Sequence, residues 1–176
     1  MLRKIIVGLC LLSTSLNICS ANDEIELPKM SGQIIRIELP GSNRILSLAE
    51  VEVFSKGKNI ALKKEATQSS ILAGGAAVRA VDGEVDGDFG SRSVTHTKIE
   101  EMPWWEVDLG QMANIEKLTV YNRTDSSMER LDKFTIKVLD KNRQEVFSKE
   151  DCRQSEKVTF VNKELGAIWF IGDSIT

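Results

Sequence analysis

The sequence has few cysteines, with three among 176 residues. Two of them, Cys10 and Cys19, lie in an N-terminal segment with the pattern of a signal peptide, which is removed on export. Cys152 then remains alone, so an intramolecular disulfide framework is excluded. A domain without such cross-links depends on its hydrophobic core, and about 150 residues are enough to form one.

The sequence also lacks a basic cluster, a long apolar span and a helical repeat. Lysine and arginine number 23 against 26 aspartate and glutamate, which gives a formal net charge of −3. Because nucleic-acid binding needs a concentrated basic face, this distribution argues against a nucleic-acid partner. The apolar run at residues 5–12 is too short to cross a membrane as a helix, so a membrane partner is not expected.

The N-terminus has the three parts of a secretory signal. A short positive start, residues 1–4, precedes the apolar run and a polar region that ends in Ala21. This pattern predicts a signal peptide over residues 1–21 and a secreted, periplasmic or extracellular protein. Residues 16–19 (L-N-I-C) resemble a lipoprotein box, but Ile18 stands where a small residue is required. Lipid anchoring at Cys19 is therefore the less favoured alternative.

Alternation of apolar and polar residues begins after Gln33. Turn-forming clusters of glycine, proline, asparagine and aspartate separate the alternating segments, which cover residues 34–39, 48–54, 104–109, 115–121 and 134–139. Short strands with turns between them predict an all-β fold, a sandwich or jelly roll. In the third segment the alternation places Trp105, Val107 and Leu109 on one face, where we expect them in the core.

One histidine and two arginines stand at a distinctive spacing. His96 is the only histidine, Arg123 follows after 26 intervening residues, and Arg130 follows Asp125 after four intervening residues, in the pattern H-x26-R-x-D-x4-R. A guanidinium is a rigid fork of N–H donors and a neutral imidazole offers one donor and one acceptor, which together suit sugar hydroxyls. We expect Asp125 to relieve the repulsion between the arginines and to fix their rotamers. Taken singly, each of these residues is more often an ordinary surface residue.

This pattern resembles the fucose-binding signature of the F-type lectins (fucolectins). Further phrases resemble the same lectins and the F5/8 type C (discoidin) domains, at residues 59–62, 66–70, 79–83 and 103–110. The resemblance covers residues 33–147 and implies a galactose-binding-like jelly-roll β-sandwich. It also implies that His96, Arg123 and Arg130 hold the hydroxyls and ring oxygen of fucose, with Phe89 against the methyl group.

Two features depart from the lectin pattern. Ser126 and Ser127 occupy the positions of an adjacent cysteine pair, so the disulfide that packs on the sugar is absent and the preference for fucose over a similar sugar stays open. In addition, residues 34–54 resemble the last strands of the lectin domain but come first here. We infer a circular permutation, which a sandwich with neighbouring termini tolerates. The alternative is that these residues are the tail of a neighbouring domain.

Residues 82–88 (D-G-E-V-D-G-D) are rich in oxygen ligands and glycine turns, which suits a hard cation such as calcium. An EF-hand is excluded because its last ligand position would be Ser93 instead of glutamate. The lectin resemblance implies one Ca²⁺ held by three backbone carbonyls and three side chains: the carbonyls of Arg79, Glu84 and Ala49, with Asp82, Ser93 and Glu50. The simpler alternative is an acidic surface loop.

The C-terminal part is predicted to contain a linker and the start of a second domain. Residues 148–166 are polar and predict a linker with one strand at 158–161. An apolar strand running into G-D-S-I-T, at 167–176, resembles the first block of the SGNH (GDSL-type) hydrolases, in which the serine, here Ser174, is the nucleophile. That family takes the required base from a block far downstream. The chain as it stands is therefore expected to have no hydrolase activity.

Three functions remain open. The first is a calcium-stabilised carbohydrate-binding module for fucose or a related sugar. The second, compatible with the first, is the targeting module of a longer secreted carbohydrate esterase. The third is a discoidin-like adhesion domain for a protein or a lipid head group. Substitution of His96 or Arg123 by alanine separates the first from the third.

Overall fold

The structure, a computed structural model, describes residues 24–162 as ten β-strands and three short 3-10 helices. The strands are β1 (Glu24–Glu26), β2 (Ser31–Glu38), β3 (Leu48–Ser55), β4 (Lys58–Asn59), β5 (Glu65–Gln68), β6 (Trp104–Asn114), β7 (Lys117–Asn122), β8 (Phe134–Leu139), β9 (Glu145–Cys152) and β10 (Lys157–Val161). The 3-10 helices are Ala77–Val81, Phe89–Ser91 and Met128–Leu131. No α-helix occurs within these residues, so the predicted all-β class is confirmed.

The strands form two five-stranded sheets that share one hydrophobic core. One sheet has the order β1-β10-β7-β3-β4 and the other has the order β5-β6-β2-β8-β9. All neighbouring strands are antiparallel except β1 and β10, which are parallel. In the described part of the chain, none of the helices is long and apolar enough to cross a membrane.

The core lies between the sheets because strands of both sheets send apolar side chains inward. Trp105, Val107 and Leu109 of β6 are at most 2% exposed, as their alternation predicts. They belong to the same apolar cluster as Val51 of the other sheet. The indole N–H of Trp105 donates to the carbonyl of Ala77 at 2.9 Å, so this buried polar atom is satisfied.

The domain extends beyond both predicted boundaries. The prediction of a linker at residues 148–166 is wrong for the part that the structure describes, because β9 pairs with β8 and β10 pairs with β7. Polar residues dominate β9 because it is an edge strand with most of its side chains exposed or half-exposed, a pattern that sequence alone does not separate from a linker. The predicted strand at 158–161 is confirmed as β10, and its Phe160 is fully buried.

The predicted signal peptide at 1–21, with Cys19, and the hydrolase-like segment at 167–176, with Ser174, lie outside the described residues.

The candidate site lies at the end of the sandwich where β3 begins and β7 ends. Leu48, the first residue of β3, pairs with Asn122, the last residue of β7. The segment 93–97 runs beside this edge, and the loop 123–130 leaves it directly after β7. The register of this strand pair therefore brings residues distant in sequence to one place.

Candidate functional site

His96 lies in an extended segment that runs beside the start of β3. The backbone N–H of Thr95 donates to the carbonyl of Leu48 at 2.8 Å, and the Thr95 hydroxyl accepts from the Leu48 N–H at 2.9 Å. Thr97 makes the same two contacts with Leu46, at 3.0 and 2.9 Å. Both neighbours of His96 are thus fixed to the first residue of β3 or to the segment just before it, which sets the direction of the His96 side chain.

The imidazole of His96 is held as a neutral hydrogen-bond acceptor. Its Nδ1 lies 2.7 Å from the carbonyl oxygen of Thr97, so Nδ1 carries the proton and donates. Burial lowers the pKa of His96, and the positive charges of Arg130 and Arg123 lower it further against the opposing hydrogen bond to Thr97. The side chain is 7% exposed. At neutral pH, Nε2 therefore offers a lone pair.

Arg123 follows β7 and is fixed by Asp125. Its Nε and Nη2 donate to the two carboxylate oxygens of Asp125 at 2.7 and 2.5 Å. Asp125 also accepts from the backbone N–H groups of Phe89 and Ser127, at 3.2 and 3.1 Å. These contacts, the hydrogen bonds from Arg123 foremost, lower the pKa of Asp125 to about 2. The predicted role of Asp125 in fixing the arginine agrees with this geometry.

Arg130 reaches His96 from the 3-10 helix Met128–Leu131. Its Nη1 lies 3.4 Å from His96 Nε2, with the guanidinium as the donor. On the backbone side of this helix, Nη2 of Arg44 donates to the carbonyls of Arg130 and Asp132, at 3.2 and 2.8 Å. Arg130 is thus contacted through both its side chain and its main chain.

Phe89 supplies an apolar surface beside the polar groups. Its ring centroid lies 5.4 Å from that of His96, at an interplanar angle of 63°, and 5.1 Å from the guanidinium carbon of Arg123. The structure therefore brings together the five residues predicted to bind a ligand: Phe89, His96, Arg123, Asp125 and Arg130.

Sequence reasoning missed three residues that shape this site. Gly75 lies against the backbone of His96, and a Cβ there would overlap that backbone. A Cβ at Gly87 would lie 2.7 Å from the Thr124 nitrogen, so glycine lets this loop approach the segment after β7. Arg44 is the third. Gly75 and Gly87 are visible in the sequence only as turn glycines, and no local pattern marks Arg44.

A buried acidic residue of β3 lies next to this site in the fold. Glu50 is completely buried; its Oε1 accepts from the Gly83 N–H at 3.2 Å, and its Oε2 has no hydrogen-bond partner among the described residues. Burial, followed by repulsion from Asp82, raises the pKa of Glu50 to about 8. A buried carboxylate oxygen without a partner is costly, and a bound cation would satisfy it.

The other predicted cation ligands surround the same loop. The Asp82 carboxylate accepts from the Glu84 N–H at 2.9 Å, and the Ser93 hydroxyl donates to the carbonyl of Asp86. Arg79 lies in the helix Ala77–Val81, and Ala49 lies beside Glu50 at an irregularity in the register of β3. The described residues contain no group of three or more His, Cys, Asp or Glu side chains suited to a metal ion. A cation here would therefore need backbone carbonyls as ligands as well.

Comparison with known families agrees with this geometry. The family model of the F5/8 type C group described as the NedA-like, galactose-binding domain matches residues 79–166. The chain belongs to this F5/8 type C family. The match includes all five residues predicted to bind a ligand, from Phe89 to Arg130, and excludes Arg44, Ala49 and Glu50.

The curated relatives of this F5/8 type C domain are fucolectins. Fucolectin-1 of Anguilla japonica is 40% identical over 79 residues, which is 42% of this chain and 44% of the fucolectin. The fucolectin of Anguilla anguilla is 37% identical over 86 residues, which is 46% of this chain and 54% of the relative. The chain thus spans about half the length of the curated relatives it matches.

Two solved lectin structures resemble the F5/8 type C domain described here. The lectin domain of lectinolysin complexed with Lewis B antigen is 42% identical, with a TM-score of 0.56, and the match covers 60% of this chain and 77% of that one. The Streptococcus pneumoniae fucose binding module SpX-3 is 47% identical, with a TM-score of 0.56, and the match covers 58% of this chain and 75% of the module's chain. The predicted galactose-binding-like β-sandwich is confirmed.

Proposed function

We propose that the chain is a carbohydrate-binding module whose primary ligand is fucose or a sugar with a similar arrangement of hydroxyls. The observation that carries the proposal is the convergence of His96, from the segment 93–97, with Arg123 and Arg130, from the two ends of the loop 123–130. On sugar binding, the Nε2 of neutral His96 would accept from a sugar hydroxyl in place of Arg130 Nη1, and the two guanidiniums would donate to hydroxyl and ring oxygens. Similarity to the fucolectins and to the fucose binding module supports this choice of ligand.

Asp125 and Phe89 complete the proposed sugar site. Asp125 compensates the charge of Arg123 and fixes the guanidinium, so that few rotamers are lost when the sugar binds. Phe89 offers its ring to the apolar part of the sugar, its methyl group in the case of fucose. Ser126 and Ser127 supply no disulfide surface on the other side. One small site of this kind binds weakly, and high avidity needs several sites acting together.

We propose that calcium stabilises the site. Glu50, Asp82 and Ser93 would hold it, together with the backbone carbonyls of Ala49, Arg79 and Glu84. The ion would supply positive charge where the unpartnered oxygen of Glu50 lies near Asp82. It would also connect β3 to the loop that leads towards His96, and its binding would stabilise the folded state by mass action.

We further propose that the domain is circularly permuted. In the sheets, β2 lies between β6 and β8, and β3 pairs with β7, so the first long hairpin is an integral part of the sandwich. The family match begins only at residue 79, and the matched solved structures cover about 60% of this chain. Both facts agree with an N-terminal hairpin that corresponds to the last strands of the usual lectin order.

The predicted leader and the hydrolase-like segment complete the proposal. The pattern of residues 1–21 supports secretion, with lipid anchoring at Cys19 as the lesser alternative. Residues 167–176 support a role as the targeting module of a carbohydrate esterase, with Ser174 in the hydrolase segment. Extension of the gene beyond Thr176 tests this role, since a downstream Asp-x-x-His block is expected and a stop codon would contradict it.

The alternative is a discoidin-like adhesion domain that binds a protein or a lipid head group. Ile71 and Leu72 favour it, because they are 53% and 44% exposed on a loop that contacts the His96 segment. Under this alternative, His96→Ala leaves binding intact and replacement of both apolar residues by serine removes it. Under the sugar proposal the effects are reversed.

The primary test is calorimetric titration of the chain with L-fucose and D-galactose, in calcium and then in EDTA. We expect saturable fucose binding that weakens in EDTA and disappears in Arg123→Ala. Binding of a different sugar would keep the module and change its specificity. Failure of the folded, calcium-loaded chain to bind any sugar would contradict the proposal.

A further inference from the structure

Arg44 connects the first hairpin to the helix that carries Arg130. It lies between β2 and β3, and its backbone forms an isolated bridge with Glu100, with both N–H···O distances at 3.0 Å. Its Nη1 donates to the carbonyl of Pro40 at 3.3 Å. Its Nη2 donates to the carbonyls of Asp132 and Arg130 at 2.8 and 3.2 Å. One guanidinium therefore joins two loops that are distant in sequence.

The helix Met128–Leu131 needs such a contact because it is only one turn long. Its N-terminal cap, Ser127, makes no capping hydrogen bond with its side chain. The carbonyl groups at the C-terminal end of a helix have no N–H donor within the helix, so they need donors from elsewhere. Arg44 supplies a charged donor to this end, and a charged donor makes a stronger hydrogen bond than a neutral one.

The inner face of the same helix is fixed by Leu131, which is 2% exposed in the core. The carbonyl of Met128 accepts from Nδ2 of Asn122 at 2.9 Å, which holds the start of the turn. The contacts of Arg44 with the carbonyls of Arg130 and Asp132 hold its other end. Arg130, whose Nη1 lies 3.4 Å from His96 Nε2, belongs to that end.

We propose that Arg44 is a positioning residue of the sugar site, holding the carbonyl side of the Met128–Leu131 helix so that Arg130 stays within reach of His96. The inference rests on the proposed function for its effect on sugar binding. The connection from Arg44 through Arg130 to His96 is a property of the protein without ligand and has its own measurement.

The measurement without ligand uses the only histidine of the chain. The guanidiniums that lower the pKa of His96 are those of Arg130 and Arg123. An NMR titration of the single imidazole therefore reports how closely Arg130 is held. Arg44→Ala should raise the pKa of His96, as Arg130→Ala should. The double variant Arg44→Ala/Arg130→Ala should match Arg130→Ala alone, because Arg44 acts only through Arg130.

The second measurement is sugar affinity. Arg44→Ala should raise the Kd for fucose about tenfold, since a ligand group that is no longer preorganised must be ordered on binding. Arg44→Lys keeps the charge but loses the planar fork, so its affinity should fall between those of wild type and Arg44→Ala. Arg143→Ala is the control, because Arg143 contacts Glu106 on the surface and not the helix. It should leave both the pKa of His96 and the Kd unchanged.

The outcomes separate this inference from the proposed function. An unchanged pKa of His96 in Arg44→Ala and Arg44→Lys would overturn the positioning role, as would additive shifts in the double variant. Loss of thermal stability with no change in pKa or Kd would assign Arg44 a structural role only and would equally overturn it. If the pKa of His96 shifts in Arg44→Ala but the protein binds no sugar, the connection between Arg44 and Arg130 stands and the proposed function is contradicted instead.

Discussion

The carboxylate of Asp125 accepts two hydrogen bonds from one edge of the Arg123 guanidinium, at 2.7 Å from Nε and 2.5 Å from Nη2. A guanidinium has five N–H donors, so this contact fixes its plane and leaves the donors on Nη1 for a ligand. Only 5% of Arg123 is exposed, and its guanidinium carbon also lies 5.1 Å from the centroid of the Phe89 ring. The arginine is therefore ordered before any sugar binds.

Asp125→Asn should weaken sugar binding by about tenfold or more, because an amide keeps one acceptor oxygen and loses the charge that fixes Arg123. Calorimetric titration with fucose measures the effect. Asp108→Asn is the control, since Asp108 contacts Gln33 and Gly110 on the surface. Equal affinities for wild type and Asp125→Asn would show that the arginine is held by other means.

Asp125 should also contribute to stability in a defined pH range. Its pKa falls from 3.8 to about 2 on folding, so the contribution is present above the unfolded value and is lost as pH falls through the folded value. It amounts to about 2 kcal/mol at most. Urea unfolding at several pH values should show a gap between wild type and Asp125→Asn that is constant from pH about 5 to 7 and closes towards pH about 2. A gap that persists at the lowest pH would contradict this assignment.

Sugar binding should be lost on acidification. Burial and the two arginines lower the pKa of His96 below 6.5, so Nε2 remains an acceptor at neutral pH and gains a proton only in more acidic solution. The Kd for fucose, measured in saturating calcium, should stay constant from pH about 8 to 7 and rise below the pKa of His96. His96→Ala should bind at least tenfold more weakly at neutral pH, and its Kd should lack the rise that the wild type shows below the pKa of His96. Binding that improves as pH falls would contradict an acceptor role for Nε2.

Glu50→Gln should have opposite effects with and without calcium. In EDTA the pKa of Glu50 in the folded protein is about 8, against 4.5 for an ordinary glutamate. Between these two pH values the folded protein keeps a proton that the unfolded chain has lost, so the free energy of unfolding falls as pH rises. Glutamine cannot ionise, so the variant should lack this decline. Calcium at about 100 times its Kd should stabilise the wild type by about 2.7 kcal/mol and leave the variant unchanged.

Thermal unfolding at pH about 8, with EDTA or calcium, measures both effects. Glu52→Gln is the matched control, since Glu52 lies on the same strand and accepts from the Tyr121 hydroxyl at 3.1 Å. It should keep the response to calcium. A Glu50→Gln variant that calcium stabilises as strongly as the wild type would remove Glu50 from the proposed cation site.

Gly87→Ala should disturb the sugar site through its backbone. A Cβ there would lie 2.7 Å from the Thr124 nitrogen and 2.8 Å from the Asn122 oxygen, on either side of Arg123. We expect a loss of about 2 kcal/mol or more in stability and a weaker affinity for fucose. Gly57→Ala is the comparison: no atom lies within 4 Å of its Cβ, and only its φ of 69° opposes the change. It should cost about 1 kcal/mol and leave the Kd unaltered.

The sequence predicts those parts of the structure that depend on local pattern or on fixed spacing. Alternation identified β6 and the inward side of Trp105, because a strand with one buried face must alternate. The spacing of His96, Arg123 and Arg130 indicated a common site before any coordinates. Their convergence requires only that β3 and β7 pair near that end of the sandwich.

Features that depend on tertiary register could not be predicted. The edge strand β9 is polar along most of its length, so nothing in its composition separates it from a linker. The role of Arg44 follows from which carbonyls lie within reach after folding, and these belong to residues more than 80 positions away. The unpartnered oxygen of Glu50 likewise exists only because β3 is buried on both faces at that point.

The position of the first long hairpin has a consequence for biosynthesis. β2 is the central strand of its sheet, between β6 and β8, and β3 pairs with β7. A ribosome releases β2 and β3 early, but β6, β7 and β8, which pair with them, emerge only when residues 104–139 have been made. Until then both strands have unpaired edges, which is the condition that favours aggregation and slow folding. The nascent chain therefore has a long interval in which a chaperone, or a separately supplied copy of the missing strands, has access to the edges that the finished sandwich conceals.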